Sequence, residues 1–129
     1  MDKSLNILIV DDEPLIADDI CGFLESAEYT NVKIVHDYRS AAKVLDAEEA
    51  DIVLLDINLQ DELSGIDIAK KINQEHHVPF IFITSYSDSA TIKEVKNLHP
   101  VGFIVKPFNG KEIPAVVELG YELFYTYMG

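Results

Sequence analysis

The sequence predicts an open, doubly wound α/β fold: a parallel sheet of five strands covered on both faces by five helices. Three observations carry that prediction. Short, nearly continuous apolar runs alternate with longer segments of helical period. Such runs are what strands buried on both faces of a parallel sheet require. At 129 residues, 48% hydrophobic and 26% charged, the chain suits one globular domain.

The elements follow in order. Residues 5–10 (LNILIV) read as strand β1, and 14–27 as helix α1 with apolar positions 16, 20, 23, 24 and 27. Residues 32–36 (VKIVH) make β2, followed by α2 from Tyr38 to Ala47. Strand β3 spans 51–56, and α3 covers 65–75, with Ile66, Ala69 and Ile72 spaced for one face. Residues 79–84 (PFIFIT) give β4 and 88–97 give α4. Residues 101–105 (VGFIV) give β5, and α5 runs from 112 to the end, Pro114 lying in its first turn. Right-handed crossovers then favour the flavodoxin-like strand order 2-1-3-4-5. Within α5, Val116, Leu119 and Leu123 are expected to face the sheet, leaving Val117, Tyr121, Phe124, Tyr125 and Met128 as surplus apolar surface. A wide core face, a homodimer contact and a face covered by a downstream output domain all fit that surplus.

Composition narrows function. A net charge of −13 argues against direct nucleic-acid binding and against anionic membranes. With no run of 18 apolar residues and no basic-then-apolar leader, the simplest location is the cytoplasm. The single cysteine, Cys21, lies in the helical pattern of Ile20, Phe23 and Leu24 and is expected to be a buried, inert thiol. The adjacent His76 and His77 read as loop residues between α3 and β4 rather than a metal pair.

Ligands of such sheets bind at the carboxyl ends of the strands. There β1 delivers Asp11-Asp12-Glu13, β3 Asp56, β4 Thr84-Ser85 and β5 Lys106-Pro107. Each has a plain structural reading on its own. The acids before Pro14 suit a helix start, a lone Lys is usually a solvated charge, and β-branched Thr belongs in strands. Together they are the parts that accept a phosphoryl group. Converging carboxylates favour a hard divalent cation such as Mg²⁺, and Asn58 offers a backbone oxygen as a further ligand. The cation and Lys neutralise phosphoryl oxygens, the hydroxyl donates a hydrogen bond, and a carboxylate attacks in line.

The blocks "ILIVDDEP", "DIVLLDINL", "FIFITS" and "GFIVKPF", in that order, resemble the receiver domain of bacterial two-component response regulators over essentially the whole chain. The resemblance implies a single receiver domain over residues 1–129, either stand-alone or cut from a longer chain. It implies Asp56 as phospho-acceptor, Asp12 as direct Mg²⁺ ligand, Asp11 acting partly through metal-bound water, and Asn58 lending its main-chain oxygen. It further implies Thr84 as switch hydroxyl, Lys106 as phosphate-binding ammonium with a cis bond to Pro107, and Phe103 as the aromatic switch. The implied partner is a sensor histidine kinase or a histidine phosphotransfer protein. The implied output is a changed α4–β5–α5 surface, with no enzymatic turnover beyond the domain's own phosphorylation and dephosphorylation.

The chain departs from the family pattern in places. The loop "INLQDELSGID" lacks the usual proline four residues after the acceptor and is one residue longer before Gly65. Ser85 stands where Ala or Gly is usual. Tyr86, two residues after Thr84, is a modulating position whose ring would shield Asp56 from water. Two rival readings remain: a Mg²⁺-dependent phosphohydrolase of haloacid dehalogenase type, and a degenerate receiver acting only as a binding module. The first lacks a second acid in Asp56-Ile57-Asn58, and the second has no need of the acids.

Overall fold

A computed structural model describes residues 2–59, 62–85 and 89–127. Strands β1 (Asn6–Val10), β2 (Asn31–Val35), β3 (Ile52–Asp56), β4 (Phe80–Ser85) and β5 (Gly102–Lys106) alternate with helices α1 (Pro14–Ser26), α2 (Tyr38–Asp46), α3 (Gly65–Glu75), α4 (Ser89–Val95) and α5 (Glu112–Tyr127). All pairings are parallel and the order is β2-β1-β3-β4-β5, as the sequence predicts. Helix α4 is shorter than expected, because Lys96–Leu98 tighten into a 3₁₀ turn that ends at His99, in left-handed backbone with φ 63°.

The apolar runs divide by parity, since neighbouring strand residues point to opposite faces. Leu8, Val10, Val53, Leu55, Phe80 and Phe82 pack with Ala41, Val44 and Leu45 of α2 and Ile68, Ala69 and Ile72 of α3. Ile7, Ile9, Ile52, Leu54, Ile81 and Ile83 pack with Ala17, Ile20 and Leu24 of α1 and Ile113 and Val117 of α5. The central strand β3 is buried along its whole length. Side-chain caps fix two helix starts: Asp37 accepts from the Ser40 N–H, and Ser64 accepts from the Ile66 N–H while Asp67 accepts from the Ser64 N–H.

Two packing expectations, for α5 and for Cys21, are corrected. On α5 the buried positions are Ile113, Val117, Gly120 and Phe124, whereas Leu119 and Leu123 are 59% and 40% exposed and Val116 is only partly buried. Gly120 is the reason: a Cβ there would stand 2.8 Å from Val101 Cγ2, so the helix lies closest to the sheet at a position without a side chain. On α3, Ala69 and Ile72 are buried and Ile66 packs partly buried against the same core, as expected, with Ile68 as a further buried residue. Cys21 is partly buried rather than fully so; its thiol hydrogen-bonds Glu25 Oε1 at 3.4 Å, and burial with that carboxylate pushes its pKa up to about 11. Such a thiol stays protonated and inert, as the sequence suggests. Met128 lies outside the described residues.

Candidate functional site

The carboxyl ends of β1, β3, β4 and β5 meet at an open cavity of about 180 Å³ lined by Glu13, Asp56, Asn58, Thr84, Ser85 and Lys106. Register brings them together. Asp56 pairs with Ile83, one residue before Thr84, and Ser85 pairs with Lys106. Asp11 is fully buried at the end of β1. Its backbone N–H donates to Val35 O, and its carbonyl accepts from His36 Nδ1 at 2.8 Å. Two contacts from β2 therefore hold the acid-bearing turn in place. His36 is a supporting residue outside the expected set, because strand order brings it near β1 but gives no sign that its ring reaches the Asp11 carbonyl.

Asp11 Oδ1 accepts from the Glu13 N–H at 2.9 Å, which satisfies one donor at the start of α1. Its Oδ2 is buried without a hydrogen-bond partner among the described residues, 4.0 Å from Lys106 Nζ. Asp56 Oδ1 accepts from the Asn58 N–H at 3.0 Å, and Oδ2 lies 3.9 Å from Lys106 Nζ. Carboxylate oxygens of Asp11, Asp12, Glu13 and Asp56 all lie within 4.8 Å of one another.

The electrostatics follow from crowding. Burial, with Asp56 nearby, pushes the Asp11 carboxyl up to about 7. Burial also raises Asp56, against the pull of the Asn58 N–H and Lys106. Lys106 is held above its ordinary value because the charges of Asp56, Asp11 and Glu13 outweigh its own desolvation. One ammonium thus serves a cluster of acids, and the shortage of positive charge is what a cation would relieve.

The remaining expected residues fall as follows. Thr84 is buried, and Ser85 is partly exposed on the cavity wall. The Lys106–Pro107 peptide bond is cis. Phe103 does not line this cavity; partly buried, it stacks on Phe82 with ring centroids 6.1 Å apart. Tyr86 lies outside the described residues. Gly65 opens α3 directly against the end of β3, where an added Cβ would overlap the Asp56 carbonyl oxygen. Only a glycine allows the helix to begin that close.

The family model of the response regulator receiver domain matches residues 7–118. This chain belongs to the response regulator receiver domain family. The sensory transduction protein LytR of Staphylococcus saprophyticus is 32% identical to this receiver domain over 114 residues, covering 88% of the chain and 44% of that protein. The phyllosphere-induced regulator PhyR of Methylorubrum extorquens is 32% identical over 117 residues, covering 90% and 43%. Among solved structures, the receiver domain of NtrX from Brucella abortus superposes with a TM-score of 0.84 at 30% identity, covering 91% of this chain and 98% of that one. The receiver domain spans about half the length of the curated relatives it matches. The haloacid dehalogenase-type reading gains no support from these matches. No helix among the described residues is long and apolar enough to cross a membrane.

Proposed function

We propose that this receiver domain takes a phosphoryl group onto Asp56 from a phosphohistidine of a sensor histidine kinase or a histidine phosphotransfer protein, in the cytoplasm. The observation that carries this reading is the buried Asp56 carboxylate facing an open cavity, with Lys106 Nζ 3.9 Å from its Oδ2 and Thr84 and Ser85 on the same wall. A carboxylate oxygen of Asp56 forms a bond to phosphorus while the P–N bond breaks. The electron pair leaves with the imidazole, which takes up a proton.

The acids fit a hard divalent cation: they are all-oxygen, crowded within 4.8 Å, and include the buried Asp11 Oδ2 without a hydrogen-bond partner. In this reading Asp12, Asp56 and the Asn58 backbone oxygen would hold Mg²⁺, and Asp11 would help to hold it less directly. When bound, the cation supplies charge neutralisation for the phosphoryl oxygens. Lys106 compensates the same oxygens from the β5 side, and Thr84 donates its hydroxyl to one of them. The new group adds about −1.5 to −2 of charge. Thr84 and Lys106 draw toward it, and Phe103, stacked on Phe82, turns into the space that Thr84 leaves. The α4–β5–α5 surface is thereby changed for a second copy or an output domain that reads α5. The domain performs its own phosphorylation and dephosphorylation and turns over no other substrate.

The test is incubation with acetyl phosphate and Mg²⁺ followed by intact mass. A gain of one phosphate is expected, absent in Asp56→Ala and absent with EDTA. A gain that survives Asp56→Ala, or sustained hydrolysis of phosphate esters, overturns the proposal.

A further inference from the structure

Glu13 occupies the position before α1 where a side chain usually caps the helix, yet it makes no capping hydrogen bond. Its carboxylate reaches across the rim instead, with Oε1 3.3 Å from Lys106 Nζ. This is a closer approach than that of Asp56 Oδ2 at 3.9 Å or Asp11 Oδ2 at 4.0 Å. Glu13 also stands in the cavity wall beside Asp56 and Thr84. We infer that Glu13 is an electrostatic gate on phosphoryl entry, pairing with the Lys106 ammonium in the resting site and giving it up only as an incoming phosphoryl group takes its place.

The inference rests on the reading of Asp56 as acceptor. Two effects of Glu13 act in the same direction. Lys106 must leave a carboxylate partner before it can meet a phosphoryl oxygen. The Glu13 charge also repels an anionic donor as it enters the cavity, and the more so the higher the donor's charge. Glu13 is therefore a positioning and selectivity residue, disfavouring free, highly charged phosphoryl donors. A donor protein can supply the missing attraction from its own docking surface. With acetyl phosphate, an Asp56 oxygen bonds to phosphorus as the bond from phosphorus to the acetate oxygen breaks, and the electron pair leaves with acetate.

The experiment compares the 129-residue chain with Glu13→Gln and Glu13→Asp, matched for thermal midpoint, at saturating Mg²⁺ and low ionic strength. Rates of phosphate gain are read by intact mass with acetyl phosphate, a dianion, and with phosphoramidate, which carries less negative charge near neutral pH. Glu13→Gln is expected to load roughly three- to tenfold faster from acetyl phosphate. The gain should be smaller from phosphoramidate and smaller again at high salt, and Glu13→Asp, which keeps the charge, should load more slowly than Glu13→Gln. Equal or slower loading by Glu13→Gln overturns the gate while leaving Asp56 as acceptor. Weaker Mg²⁺ binding by Glu13→Gln in calorimetry, together with slower loading, makes Glu13 a cation ligand and also overturns it. No phosphate on the parent chain removes both readings.

Discussion

Asp11 is the residue whose chemistry reaches furthest beyond its own position. Its carboxyl is raised to about 7 by burial and by Asp56, against an ordinary value near 3.8. Between those values the folded chain keeps a proton that the unfolded chain has released. Stability from this group is therefore fully present below about pH 4 and is lost as pH rises through about 7. The acids with lowered values, Asp37, Asp46 and Glu118, titrate below this window and leave it undisturbed. Without divalent cation, denaturant unfolding should show lower stability at pH 8 than at pH 5, by on the order of 2–4 kcal/mol. Added Mg²⁺ binds the deprotonated acids, so its stabilising effect should be larger at pH 8. A flat profile in EDTA would refute the raised value. The site's members were legible in the sequence because strand polarity alone sends Asp11, Asp56, Thr84 and Lys106 to one rim. The partner of Glu13 was not, since a cap position before Pro14 gives no sign that its side chain turns toward β5.

At the scale of the element, α5 shows where periodicity stops being informative. Two stripes, one through positions 116, 119 and 123 and one through 113, 117, 120 and 124, both satisfy helical spacing. Counting apolar side chains does not separate them, since each stripe carries three. Contact with Val101 and Ile81 at Gly120 selects the second, because the residue that lets the helix approach contributes no hydrophobicity to the count. Val117→Ala should cost about 1.5–3 kcal/mol. Leu119→Ala, at an exposed position, should stay within about 0.5 kcal/mol. Urea midpoints on the two variants check this directly, and the reverse ranking would restore the stripe that the sequence suggests. The helix is also tied to the rest of the chain by Glu118, which accepts from the Tyr29 hydroxyl at 2.8 Å and meets Lys3 Nζ at 3.4 Å. Strand and helix order were readable because each run is bounded by its own turn residues. Their facing depends on contacts between elements far apart in sequence.

For the whole molecule, 23 acids against 10 basic residues leave a charge of −13 that repels itself at neutral pH. Raising sodium chloride from about 20 mM to about 200 mM shortens the screening distance from roughly 20 Å to roughly 7 Å. The thermal midpoint should rise by several degrees over that range in EDTA, and a fall would mean that surface ion pairs such as Lys71–Asp46 and Lys33–Glu49 outweigh the net repulsion. The fold class was the most legible property of all, since continuous apolar runs separated by helical segments admit few topologies.

The parallel register has a genetic consequence. Asp56, Thr84 and Lys106 meet only because each stands a fixed number of residues along its strand. Removing one codon inside β5 ahead of Lys106 would put Pro107 in the place of Lys106 and turn every β5 side chain beyond the gap to the opposite face. A substitution at the same place alters one side chain and leaves the register alone. A library of single-codon deletions, scored for phosphate gain, should therefore lose function across whole strands, where alanine replacements lose it at isolated positions.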